Sequence, residues 1–204
     1  MIKVADEDPS LWQSFKRGEI DSFQAIYFHH FQPLYEYGMR LVGDRELVKD
    51  GIHDLFVKLW NSKSNLGDVR AIRSYLLVSL RTNLYNRLKR NNRVKFLGTA
   101  EQLPFEMVFS VEADFVRNET RTRQVQKLME ALNQLTPRQK EVIYLRYFEE
   151  LDYEEIAAVM NITVKATYKL TARGLEGLRQ ILHLSDSSLL LLLLFAKSEL
   201  FALL

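Results

Sequence analysis

Apolar positions in the first half of the chain recur at three- and four-residue steps. Phe23, Ile26, Tyr27, Phe31, Leu34, Tyr35, Met39 and Val42 form one such series. That spacing places them on one face of an α-helix and predicts a buried stripe. Pro33 within the series is a candidate kink. Gly43-Asp44 predicts a stop, with Asp44 placed to cap the following helix. The pattern restarts with Leu47, Ile52, Leu55, Phe56 and Leu59, leaving Asp50, His53, Asp54 and Lys58 on a polar face. The stretch NSKSNLGD reads as a loop by composition. A long helix is then expected over 69–93, with Ile72, Leu76, Val78, Leu80, Leu84 and Leu88 as its apolar residues.

The second half opens with a helical pattern over 121–135. Thr136 followed by Pro137 is a strong helix start, a capping hydroxyl before a proline at the first helical position. Asp152 and Glu155 have capping-box spacing. They predict a short helix, Tyr153 to Met160, a tight turn at Asn161-Ile162, and a longer helix capped by Thr163. Helix, short turn, helix is the helix-turn-helix unit. Ile156, Ala157, Val159, Ile162, Val164 and Leu170 supply its shared core, with the small Ala157 where two helices cross closely.

Composition sharpens this picture. The 204 residues are 47% apolar and 26% charged, with 8 Gly and 4 Pro, so breakers are few and helices are favoured. The absence of Cys excludes disulfides and thiolate metal sites and fits a cytoplasmic protein. Asp6, Glu7 and Asp8 stand where a secretory signal would be basic and then apolar. Net charge is +2, but it is unevenly placed. Between Arg70 and Lys95 lie eight cations (Arg70, Arg73, Arg81, Arg87, Lys89, Arg90, Arg93, Lys95) and no acid. The next stretch, TAEQLPFEMVFSVEADFVRNE, is acidic. A basic block without counter-charges points to a polyanion. The expected fold is all-α: two small helical domains at 8–95 and 120–183, joined by an acidic linker at 96–119, with an apolar helical extension at 184–204.

The chemistry expected is recognition. No phosphate loop or nucleophile–base pair appears, so no catalytic residue, cofactor or metal is expected and the chain is not read as an enzyme. His29 and His30 read as packing or surface residues, since no His pair stands at zinc-ligand spacing. In a helix-turn-helix the second helix enters the major groove. Here Tyr168, Lys169, Ala172 and Arg173 share one face of it. Lys and Arg can donate to guanine, and Ala can pack on a thymine methyl. Lys165, near the helix start, suits a phosphate.

Two stretches together resemble the sigma-70 family of bacterial RNA polymerase sigma factors. LNQLTPRQKEVIYLRYFEELDYEEIAAVMNITVKATYKLTARGLEGLR resembles region 4, which reads the −35 promoter element. FQAIYFHHFQPLYEYGMRLVGDRELVKDGIHDLFVKLW followed by RSYLLVSLRTNLYNRLKRNNR resembles region 2. Having these two regions and a short linker resembles the extracytoplasmic-function (ECF) subgroup. The resemblance implies that Asp50, His53, Asp54, Phe56 and Trp60 bind core RNA polymerase. It implies that Tyr75, Arg81, Asn83, Asn86, Arg87, Lys89 and Arg90 meet the −10 element, and that Arg146, Lys165, Tyr168, Lys169, Ala172 and Arg173 meet the −35 element. An anti-sigma factor is a further implied partner. Gly51 and His53 depart from the family, which often has Leu and Gln there, and Gly51 implies a helix-propensity cost of about 1 kcal/mol. Tyr75 replaces a common Trp and is either core or contact. Tyr168 stands where Lys or Arg is usual. The competing readings are a helix-turn-helix regulator that binds operator DNA alone, and an inactive mimic that titrates polymerase.

The family pattern ends near His183, and SSLLLLLLFAKSELFALL lies beyond it. The unbroken run, Leu189 to Ala196, is too short for a membrane span of about 20 residues. A helix apolar all round must bury several sides. Asp186 or Ser187 is the expected cap. The tail is expected to dock on the chain's own domains, either bridging both as a latch or completing the core of the second, or else on a partner.

Overall fold

The computed structural model describes residues 9–90, 103–107 and 119–201, and the described secondary structure is helical. The chain divides into two compact units, Met1–Leu103 and Pro104–Leu204.

The first unit is built from α1 (Pro9–Lys16), α2 (Ile20–Val42), α3 (Arg45–Ser62) and α4 (Ile72–Arg90). The apolar stripe of α2 is buried through Ile26, Leu34, Tyr37 and Leu41, and the helix continues through Pro33. Gly43 ends it in the left-handed region at φ 65°, and Asp44 accepts the Leu47 N–H at 3.2 Å to start α3. Both are the expected punctuation. α1 was not evident from periodicity, because its eight residues hold just two buried anchors, Trp12 and Phe15. Trp12 donates its indole N–H to the Gly67 carbonyl at 3.0 Å, and Asp68 accepts from Lys16 at 2.8 Å and from Gln13 at 2.6 Å. These two bonds to Asp68 hold its carboxyl below the usual range. The loop between α3 and α4 is thereby tied to α1.

Gly51 has a structural reason beside its propensity cost. A Cβ there would lie 2.8 Å from Leu84 Cδ2, so its hydrogen lets α3 and α4 approach closely. Gly38 does the same for α2 against Val48 of α3, at 2.7 Å.

The second unit contains α5 (Glu119–Asn133), α6 (Pro137–Ile143), a π-helical turn (Tyr144–Phe148), α7 (Tyr153–Met160), α8 (Val164–Leu182) and α9 (Asp186–Phe201). Thr136 and Gln139 close a capping box on α6, and Asp152 and Glu155 close one on α7. Asn161 turns in the left-handed region at φ 52°, and Thr163 accepts the Ala166 N–H at 3.2 Å to start α8. The turn spans 161–163, as a helix-turn-helix requires.

Most of the acidic segment lies outside the described residues. Its 104–107 piece belongs to the second unit. Phe105 is buried with its ring 5.5 Å from Tyr144, Met107 exchanges backbone hydrogen bonds with the Asn133 amide at 3.1 Å, and Glu106 pairs with Lys140 at 2.9 Å.

The leucine tail folds as α9 and packs on α5, the π-helical turn and α8. Leu189, Leu193 and Ala196 are buried, and Lys197 pairs with Glu150 at 2.6 Å. The tail therefore docks within the second unit, as a part of its core. The cap differs from expectation: Ser185 accepts the Ser188 N–H at 3.4 Å. Asp186 and Ser187 fall inside the helix. Among the described residues no single helix is long and apolar enough to cross a membrane. α8 and α9 reach that threshold together, but they are bent by 96°.

Candidate nucleic-acid and polymerase interfaces

α8 sorts its residues cleanly. Thr167, Thr171, Gly174 and Leu178 face inward and are buried. Lys165, Tyr168, Lys169, Ala172 and Arg173 are all exposed on the outer side. Thr167 and Thr171 can be buried because each hydroxyl donates to the carbonyl one turn earlier, at 3.2 and 3.0 Å. Farther along, Arg179 holds Glu176 in a two-bond pair at 2.9 Å, which lowers the Glu176 carboxyl. The cations nearer the helix start face solvent.

Tyr168 is not a loose surface residue. Its ring stacks on Tyr153 of α7, with centroids 3.9 Å apart and planes at 30°. The Arg146 guanidinium lies 4.9 Å from the Tyr153 ring centre and donates to the Leu151 carbonyl at 2.9 Å. Arg146 was expected as a −35 contact. It is half-buried and bound to the chain's own loop and ring. Tyr153 was not among the expected site residues. Fifteen positions separate it from Tyr168, and no periodicity links them.

The first unit presents a second candidate surface, a groove between α3 and α4. It is lined by Asp54, Lys58, Asn83, Asn86, Arg87 and Arg90 among others. Arg87 clamps the two helices. Its guanidinium pairs with Asp54, lies 4.0 Å from the Asp50 carboxylate, donates to the Asp50 carbonyl at 3.3 Å, and donates to the Asn83 side chain at 2.9 Å. Asn83 in turn donates to the Gly51 carbonyl at 3.3 Å. The expected polymerase face and the expected −10 helix are thus one hydrogen-bonded network. Asn86, Lys89 and Arg90 are exposed on α4, and Asp50, His53 and Asp54 on α3.

Two expectations need correction. Arg81 was expected on the DNA face, but it is 4% exposed. Phe56 was expected to bind polymerase, but it is 3% exposed and lies against Phe23 and Tyr27. Trp60 is half-buried between Phe15, Phe23 and the Lys63 amine, which lies 4.1 Å from its ring centre. Hydrophobic packing claims Phe56 and one side of Trp60. Tyr75 joins the same cluster edge-on to Trp12 while lining the groove, so it serves the core and faces the cleft. Arg93 and Lys95 lie outside the described residues.

His29 is exposed and His30 is buried. Burial, reinforced by His29 and Arg73, pushes the His30 ring down to about 3, so it is neutral at pH 7. Among the described residues no cluster of three or more metal-ligating side chains occurs.

A helix-turn-helix with a cationic outer face is the frame of a DNA-binding protein. Residues 125–178 match the family model of sigma-70, region 4. The chain is 26% identical over 145 residues to RNA polymerase sigma factor YlaC of Bacillus subtilis, covering 69% of this chain and 80% of that protein. It is 24% identical over 186 residues to ECF RNA polymerase sigma factor SigK of Mycobacterium ulcerans, covering 89% and 96%. Its fold is similar to CnrH in complex with the cytosolic domain of CnrY, with TM-score 0.58, 20% identity, and coverage of 87% and 98%. It is also similar to RpoE in complex with the anti-sigma factor NepR from Bartonella quintana, with TM-score 0.57, 18% identity, and coverage of 80% and 98%. Residues 125–178 thus carry region 4 of the sigma-70 family, and most of the chain is similar to RNA polymerase sigma factors, the extracytoplasmic-function (ECF) group among them. That family consists of transcription initiation factors rather than enzymes.

Proposed function

We propose that the chain docks on core RNA polymerase through its first unit and directs it to promoters bearing a −35 and a −10 element. The observation that carries this reading is the outer face of α8, where Lys165, Tyr168, Lys169, Ala172 and Arg173 stand exposed together on the second helix of the helix-turn-helix. In this reading the first unit is region 2 and the second is region 4. Asp50, His53 and Asp54 meet a basic surface of polymerase, and Asn86, Lys89 and Arg90 meet the −10 strand. Amide side chains suit an extruded base, and cations suit its phosphates. An anti-sigma protein is the expected regulator, by analogy with the complexes of CnrH and RpoE. The chain contributes recognition and leaves bond chemistry to polymerase.

Run-off transcription with purified core polymerase tests the reading. Initiation at a specific promoter, dependent on both components, is the expected result. Tight operator binding by the chain alone, with no initiation, would indicate a free-standing regulator. Polymerase binding without initiation would indicate a titrating mimic.

A further inference from the structure

The stack on α8 has a consequence for which base is read. Tyr168 is 54% exposed, and Tyr153 stacks beneath its ring. Tyr153 is itself fixed twice. It is the first residue of α7, inside the Asp152–Glu155 capping box, and Arg146 lies against its ring while bonded to Leu151. A lysine at position 168 would carry a mobile ammonium that could reach several acceptors. A stacked tyrosine has given up its rotamer freedom before DNA arrives, and it holds one fixed position on the helix.

The chemistry of the ring then limits the partner. A phenol lacks the fork of donors that grips guanine O6 and N7. It offers an apolar ring and one hydroxyl, and the apolar feature of the major groove is the C5-methyl of thymine. Lys165, Lys169 and Arg173 surround it with cations that can hold phosphates and guanine edges. We propose that Tyr168 reads a thymine in the −35 element through its C5-methyl group, with Tyr153 as the positioning residue beneath it. The inference rests on the promoter-reading function proposed above.

The test uses holoenzyme, the full chain with core polymerase, and duplex DNA randomised across the −35 element. The wild type selects a thymine at one position. Replacing that thymine by uracil removes the methyl group and nothing else, and weakens binding about fourfold, the worth of one buried methyl group. Tyr168→Phe keeps the thymine-to-uracil ratio. Tyr168→Ala abolishes it. Tyr153→Leu lowers it below about twofold, an effect that a simple loss of folded protein would not produce, because both DNAs are bound by the same folded fraction. A selected thymine that is bound as well when replaced by uracil overturns the inference and leaves promoter reading intact. So does a thymine preference that survives Tyr168→Ala. A library from which the wild type selects nothing overturns promoter reading, and the inference with it.

Discussion

α4 and α8 are both 19-residue helices rich in cations, but they use charge in opposite ways. On α8, Lys165, Lys169 and Arg173 all face solvent, and the inner face is sealed by small residues and self-bonded threonines. On α4, Arg81 is buried and Arg87 is bound to α3, while Lys89 and Arg90 extend from the last turn. A count of basic residues ranks α4 as the stronger nucleic-acid helix. The structure shows that part of its charge holds the first unit together. Charge that has a partner inside the chain must be released before it can meet phosphate, whereas charge facing water is already available.

The contrast can be broken most sharply at Arg81. Arg81→Ala should destabilise the first unit by about 3 kcal/mol, because truncating a long buried side chain leaves a cavity in the helical core. Lys169→Ala on α8 should change stability by less than about 0.5 kcal/mol. Denaturant unfolding of both variants measures the difference. Equal stabilities would mean that Arg81 is not structural.

Acidification should act on the same unit through His30. Its folded pKa, about 3, is below its unfolded value of 6.5. Below pH 6.5 the unfolded chain therefore binds a proton that the folded chain refuses. The stabilisation is full above 6.5 and is lost as pH falls toward 3, with a slope reaching about 1.4 kcal/mol per pH unit. His30→Leu should flatten that part of the stability–pH curve. An unchanged slope would exclude His30 as its source.

On α8 the expected effect moves from stability to binding. Arg173→Ala should cost about 1–3 kcal/mol at one promoter position and leave unfolding unchanged. A competition assay between promoter variants reads this directly. A uniform loss across all sequences would make Arg173 a phosphate contact instead.

How much of this was legible in the sequence depended on the range of the interaction. Caps and turns are local, so Asp44, Thr136, Asp152 and Thr163 announced their helices correctly. The outer face of α8 was legible for the same reason, since helical periodicity alone fixes it. Interactions between distant residues were not. Gly51 read as a flaw until Leu84 was placed 2.8 Å from its missing Cβ. Arg81 and Phe56 were named as contacts because the family motif marks positions, not burial, although the apolar periodicity of α3 already put Phe56 in its stripe. The stack of Tyr153 on Tyr168 depends on the angle between two helices, and no spacing rule encodes it. The π-helical turn at Tyr144–Phe148 follows an ordinary helix pattern that the residues alone do not distinguish. Its Tyr144 hydroxyl bonds the buried Glu149, a contact equally hidden from periodicity.

The smallest effect concerns Arg87, and it separates the two uses of charge. Its partners Asp50 and Asp54 are 69% and 56% exposed, so the pair is worth no more than about 1 kcal/mol of stability. Asp54→Asn should barely change unfolding, but it removes the closest competitor for the guanidinium. If Arg87 meets phosphate once released, the log–log salt dependence of promoter binding by holoenzyme should steepen by about one unit for this added contact. Arg87→Ala should make it shallower by a similar amount, and the double variant should match Arg87→Ala. That pattern would show that Asp54 holds a DNA-binding cation in reserve. Salt slopes equal in all three variants would show that Arg87 fastens α3 to α4 in the DNA complex as well, leaving Lys89 and Arg90 as the α4 cations for phosphate.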